Sequence, residues 1–144
     1  MTIKETAGKV LLYLYQLQRT TPLTMAYRQV GFMEKKDGGV ALSTDKKAMT
    51  KDLFDINSSP SDIFNAFAYL LNKEYVETKE RTNAGTRIYV GLLVTDTAID
   101  LIEGIEGGDE GRRIFETAFN IKVDGRSTVD SLIRDKLSAL INNN

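Results

Sequence analysis

The chain contains no cysteine and no histidine in its 144 residues. Without cysteine it can form no disulfide and supply no thiolate. Without histidine it has no imidazole ligand, no Ser-His-Asp or Cys-His nucleophile, and no side chain that ordinarily titrates near neutral pH. Most zinc, redox and hydrolytic chemistry is thereby excluded, and the expectation is a protein that is not an enzyme and holds no cofactor or metal. An excess of one charge is also missing. Nineteen Lys and Arg against twenty Asp and Glu leave a net charge of -1 and a pI near 5.5, so no overall positive field draws the chain to nucleic acid or anionic lipid. Any such affinity has to be local. Long apolar runs are absent too: the longest, Val10 to Tyr15, is far below the ~18 to 20 residues that span a bilayer. Lys4 and Lys9 ahead of that run suggest a leader, but it passes into Gln16, Gln18 and Arg19 with no small-residue cleavage site. The expectation is a cytoplasmic protein without a membrane partner.

What is present is a hydrophobic content of 42%, enough for one domain with an appendage. Thr2-x-x-Glu5 has capping-box spacing, and Ile3, Ala7, Val10, Leu11 and Leu14 follow at helical spacing, which predicts a helix over about 3 to 19. Leu12, Tyr13, Tyr15 and Leu17 fall off that stripe, so the helix is apolar on more than one face. Thr20-Thr21-Pro22 ends it. Residues 23 to 44 are the least legible: Leu23 to Val30 reads as a short helix ended by Gly31, and Asp37-Gly38-Gly39 as a turn before a short strand around Val40 to Leu42. A charged helix follows from Asp45 to about Asp55. Ser59-Pro60-Ser61-Asp62 is the sharpest local signal, a Ser cap with Pro at the first helical position and a carboxylate at the third. The helix it starts carries Ile63, Phe67, Leu70 and Leu71 on its inner side, leaving Ser61, Asp62, Asn65, Ala68, Tyr69, Asn72 and Lys73 outward. Tyr75 to Glu80 and Arg87 to Val94 read as a β-hairpin around Thr82-Asn83-Ala84-Gly85, and Thr95 caps a further helix through Ile105.

After Gly107-Gly108, Ile114, Phe115, Ala118 and Phe119 predict a short amphipathic helix. Ser127-x-x-Asp130 then caps a last one bearing Val129, Leu132, Ile133, Leu137, Leu140 and Ile141. The expected division is a domain over 1 to 106 and a helical extension over 109 to 142, with Asn142 to Asn144 frayed. The final apolar stripe adds surface that a closed domain does not need, which predicts a homodimer joined through the first and last helices, the alternative being that the stripe packs back on the first helix of its own chain.

The order helix, strand, helix, turn, capped helix, hairpin, helix over residues 48 to 105 resembles the winged helix-turn-helix of bacterial transcription regulators of the MarR or PadR kind. Leu70-Leu71-Asn72-Lys73-Glu74-Tyr75-Val76 resembles that family's exit from the recognition helix, with Glu74 where a Gly is usual. Arg87-Ile88-Tyr89 resembles the return strand of the wing, and Val94-Thr95-Asp96-Thr97-Ala98 a Leu-Thr-x-x-Gly helix start with Ala98 for Gly. The resemblance implies an α+β, mainly α, winged helix with a C-terminal helical extension that binds double-stranded DNA and regulates transcription. Its recognition helix enters the major groove and its wing reaches the backbone or minor groove. On that reading Asn65 reads adenine and Ser61 and Tyr69 donate to phosphates or base edges. Lys47, Lys51 and Lys73 flank them beside Lys46, and Lys79, Arg81 and Arg87 stand on the wing.

Residues 45 to 90 hold as many carboxylates as cations, and Asp62 falls on the reading face itself. The DNA reading therefore depends on Asp52, Asp55 and Glu77 turning away. The alternative is a winged helix that docks another protein through the same surface. Asp96, Asp100 and Glu103 share a helix face and have the oxygen chemistry of a hard-cation site, but a solvated acidic face is the simpler account. The stretch GGDEGRR lacks the Lys-Ser/Thr of a phosphate loop. Tyr13, Tyr15, Phe64 and Phe67 are read as core or interface.

Overall fold

A computed structural model describes residues 1 to 141, apart from the side chains of Ala139 and Ile141. The chain is an α+β protein whose antiparallel sheet of four strands runs in the order β2-β1-β4-β3. Its elements are α1 (Ile3–Thr20), α2 (Pro22–Met25), β1 (Gln29–Glu34), β2 (Val40–Thr44), α3 (Lys47–Ile56), α4 (Pro60–Asn72), β3 (Val76–Asn83), β4 (Thr86–Val94) and α5 (Asp96–Glu103), followed by α6 (Asp109–Phe119), α7 (Val129–Lys136) and α8 (Ser138–Ile141). No helix among the described residues is long and apolar enough to cross a membrane.

α1 begins where Thr2 accepts a hydrogen bond from the Glu5 amide, satisfying one of the orphan donors of the first turn. Its excess of apolar faces is used within this one chain. Every residue from Thr6 to Tyr15 except Lys9 is buried, because α4 covers one side and α6 and α7 another. Gly8 makes the approach of α6 possible, since a Cβ there would stand 2.7 Å from Phe119 Cβ and from Ile121 Cδ1. Polar side chains fix the helix further: Tyr13 donates to Asp52 of α3 at 2.9 Å, Tyr15 to Glu103 of α5 at 2.7 Å, and Arg19 to Asp130 of α7 at 2.6 Å.

Three stretches depart from the pattern read in the sequence. Only residues 22 to 25 are helical in the stretch expected to form a helix to Val30; the chain is extended from Gln29, with Gly31 in mid-strand opposite Ser43 and Ile88. Val30 and Phe32 point inward and Met33 outward, a two-residue period too short to distinguish from a helical one. Residues 29 to 44 thus fold as a hairpin of β1 and β2. At the C-terminus, Thr128 and Ser131 form the capping box in place of Ser127 and Asp130, and the helix breaks at Leu137 into α7 and α8. Finally, the stripe expected to need a partner is already covered: Val129, Leu132, Ile133 and Leu137 are buried in the core that also holds Phe67 and Leu11, and Leu140 packs against it half-buried. Its apolar area therefore gives no argument for a second copy. The contribution expected from the Ile141 side chain, and Asn142 to Asn144, lie outside the described residues.

Candidate nucleic-acid interface

The turn between α3 and α4 is built around Asn57. Its Oδ1 accepts from the Ser59 amide at 2.9 Å, and its Nδ2 donates to Thr6 Oγ1 and to Asp62 Oδ2, both at 3.2 Å, tying the turn to α1. Ser59 then caps α4 by accepting from the Asp62 amide, with Pro60 at the first position as its fixed φ favours. Ile63, Ala66, Phe67 and Leu70 are buried beneath α4. Phe32 of β1 meets Phe64 edge-on at 5.1 Å and Phe67 at 5.8 Å, while Phe67 stacks on Tyr89 at 5.9 Å, so aromatic contacts set the helix on the sheet. Asn65 and Asn72 are left exposed, with Ala68 half-buried between them and Ser61 half-buried one turn before Asn65.

The exit from α4 explains a residue that the sequence pattern marked as unusual. The Tyr75 amide bonds to the Leu70 carbonyl and the Glu74 amide to the Leu71 carbonyl, the two bonds of a Schellman ending, and Glu74 sits at φ 61. Glycine is preferred at that position because L side chains are strained there. The next step is the β3–β4 hairpin, which turns through Ala84 and Gly85 with both residues at positive φ.

The nine candidate interface residues do not form one surface. Ser61 and Asn65 stand a turn apart on the outer side of α4. Tyr69 is a correction to the outward face: its hydroxyl donates to the Ala118 carbonyl of α6 at 2.9 Å and its ring meets Phe119, so its polar end is occupied and half-buried. Burial holds its phenol above the ordinary tyrosine range, with the Tyr75 charge adding to the effect. The Lys73 ammonium lies over the Tyr69 ring at 5.9 Å. Lys47 and Lys51 are exposed on α3, Lys51 being joined to Asp55 at 2.6 Å. On the hairpin the cations divide. Lys79 and Arg81 pair in register with Val90 and Ile88 on the sheet face away from α4. Arg87 shares the other face with Tyr89, packs over Phe64 at 5.2 Å and bridges to Glu80 at 3.0 Å.

Of the three carboxylates on whose turning away the DNA reading depends, Asp52 alone does so, since Asp55 takes up the candidate cation Lys51 and Glu77 stays exposed on the hairpin face of Lys79 and Arg81. Asp52 turns inward to Tyr13, whose phenol burial and the Asp52 charge together push far up. Asp62 is held by Asn57, Asp55 by Lys51 and Glu80 by Arg87, whereas Glu77 stands exposed opposite Leu93 on the outer face of the hairpin. Asp62 therefore faces the turn and α1 more than the helix surface beyond Asn65.

Sequence reasoning read the turn at Asp37-Gly38-Gly39 but missed strand β1 before it and left the exposed Lys35 and Lys36 of the β1–β2 turn out of the candidate surface. The signal was present in Lys35-Lys36-Asp37-Gly38-Gly39 between Phe32-Met33 and Val40-Ala41-Leu42, a turn cluster between two apolar runs. Gly38 of this turn and Gly85 of the next line one cavity of about 310 Å³ with Phe32, Phe64 and Arg87. Among the described residues no group of three or more carboxylates converges as a cation site, and Glu103, one of the three acidic residues on α5, accepts from Tyr15. Compared with protein families, curated proteins and solved structures, the chain has no significant match in any of the three.

Proposed function

We propose that the chain is a winged helix-turn-helix protein that binds double-stranded DNA and regulates transcription, with α3 and α4 as the helix pair and β3–β4 as the wing. The observation that carries this reading is the outer side of α4: it leaves Asn65 exposed beside Ser61 while Asn57 draws Asp62 toward the turn. In a major groove, an Asn side chain both donates to and accepts from adenine, and a Ser hydroxyl donates to phosphate. Lys47 on α3, Lys73 at the end of α4, and Arg81 and Lys79 on the wing are point charges for the backbone. Two copies related by a two-fold axis would present two such helices to successive half-sites, so a homodimer is part of the proposal.

A titration of labelled duplexes tests it. Lys79→Ala with Arg81→Ala, which share one face of the hairpin, should weaken every duplex and lower the salt slope by about one for each phosphate no longer neutralised. Asn65→Ala should cost ~1 to 3 kcal/mol on a preferred sequence and spare random DNA. Absence of salt-dependent binding by the intact chain rejects the reading. A second reading, a protein-docking module, draws on the sheet face away from α4, where Met33 is 50% and Leu93 38% exposed beside half-buried Ile88 and Val90. It gains if duplex binding fails.

A further inference from the structure

The β1–β2 hairpin ends beside the β3–β4 hairpin. Met33 pairs with Thr86 and Glu34 with Val40, so the turn over 35 to 39 and the turn at Ala84-Gly85 project from the same end of the sheet on neighbouring strands. The first turns of α4 lie at that end as well, since Phe64 lines the same cavity as Gly38 and Gly85. Lys35 and Lys36 are exposed there. Of the carboxylates around them, Glu80 is bridged to Arg87 and Asp37 Oδ1 accepts from the Gly39 amide at 3.0 Å, folded back on its own turn with its charge retained, while Glu34 is exposed at the cavity. The turn is also set in shape. The Lys35 amide donates to the Gly39 carbonyl at 2.7 Å and the Gly38 amide to the Lys35 carbonyl at 3.0 Å, so its ammonium groups start from a fixed backbone.

We propose that this turn is a second basic arm of the DNA interface, with Lys35 and Lys36 against duplex phosphates next to those met by the β3–β4 arm. This rests on the DNA reading above and adds to it a partner surface outside the helix pair and its wing. Lysine is a point charge that cannot read a base pair bidentately, so the arm contributes affinity and orientation but no sequence preference.

The test is a salt series on a labelled random-sequence duplex with the intact chain, Lys35→Ala/Lys36→Ala, and a charge-matched control, Arg113→Ala/Arg134→Ala, on exposed positions of α6 and α7. Two phosphates left without a cation flatten the plot of log K against log salt by about 1.8, so between about 50 and 200 mM salt the intact chain should lose about tenfold more affinity than the arm variant. The control should keep the intact slope, and Lys35→Arg/Lys36→Arg should restore it. Binding by the intact chain with an unchanged slope in the arm variant overturns the second arm alone. Equal flattening by the control assigns the effect to bulk charge and also overturns it. If the intact chain binds no duplex in a salt-dependent way, the DNA reading fails, and the arm with it.

Discussion

Between Thr6 and Tyr15 every residue of α1 but Lys9 is buried, whereas from Lys79 to Gly85 every residue of the β3–β4 hairpin is exposed. The two stretches are similar in length and differ in what holds them. α1 is fixed by side chains, through apolar contacts on more than one face and three polar ties to α3, α5 and α7. The hairpin end is fixed by its backbone, through ladder hydrogen bonds and a two-residue turn, with its side chains turned to solvent. A substitution in the first stretch is therefore felt as stability. In the second it should be felt mainly as a change in what the surface binds.

The largest expected effect falls on the core side. Phe119 is fully buried against Gly8, Tyr69, Tyr75 and Phe115, so Phe119→Ala should cost ~3 to 5 kcal/mol in denaturant unfolding. A loss below ~1 kcal/mol would mean that α6 is an appendage and not part of the core. Gly8→Ala should follow at ~1 to 3 kcal/mol, because Phe119 Cβ belongs to a helix and cannot simply swing aside. A neutral result would show that α1 and α6 are loosely seated.

Alkaline pH gives the next contrast. Burial, reinforced by the bond to Glu103, pushes the Tyr15 phenol up to about 12, and burial raises Tyr13, Tyr69 and Tyr89 as well. The folded chain holds these protons more tightly than the unfolded one. Their contribution is thus complete below the ordinary tyrosine value of about 10 and is lost as pH rises toward about 12. Circular dichroism against pH should show that decline, and Tyr15→Phe should make it shallower. An identical alkaline limb in the variant would remove Tyr15 from the account. The smallest effect belongs to the hairpin: Ala84 sits at φ 51 in a turn that favours Asn-Gly, so Ala84→Asn should stabilise by at most about 1 kcal/mol. A loss of thermal stability would break the backbone account of this end.

What could be read from the sequence follows the range of the forces involved. α4 was legible because Ser59, Pro60 and Asp62 act within one turn, and the β3–β4 hairpin because its turn residues are local. β1 was hidden because two inward residues do not define a period, and its partners lie on β2 and β4. Tyr69 was misplaced for a related reason. It lies off the inner stripe of its own helix, and the group that covers it, the Ala118 carbonyl, is 49 residues away. The split of Lys79 and Arg81 from Arg87 depends on strand register, which no local motif announces.

At the base of that hairpin Glu77 pairs with Leu93 but Lys79 pairs with Val90. Gly91 and Leu92 therefore stand opposite Thr78 alone, a bulge in which Gly91 takes φ 68 and donates to the Arg28 carbonyl at 2.8 Å. The alternation of β4 slips by one residue there: Leu92 and Val94 face the core below the bulge, as Tyr89 does above it. The bulge thus acts as a fixed joint, and beyond it β4 stays tied to the core, since Thr86 to Val90 pairs with β1 and Tyr89 is buried, so any change in the reach of the hairpin has to respect that register. Adding two residues to each strand just beyond the bulge would extend the hairpin by about 6.6 Å with every side chain keeping its face, while adding one to each would exchange Arg87 and Arg81 between faces and turn Tyr89 out of the core. The length of the arm is therefore tunable only in even steps, which is the increment in which a chain of this design can adjust how far it reaches without altering what it presents.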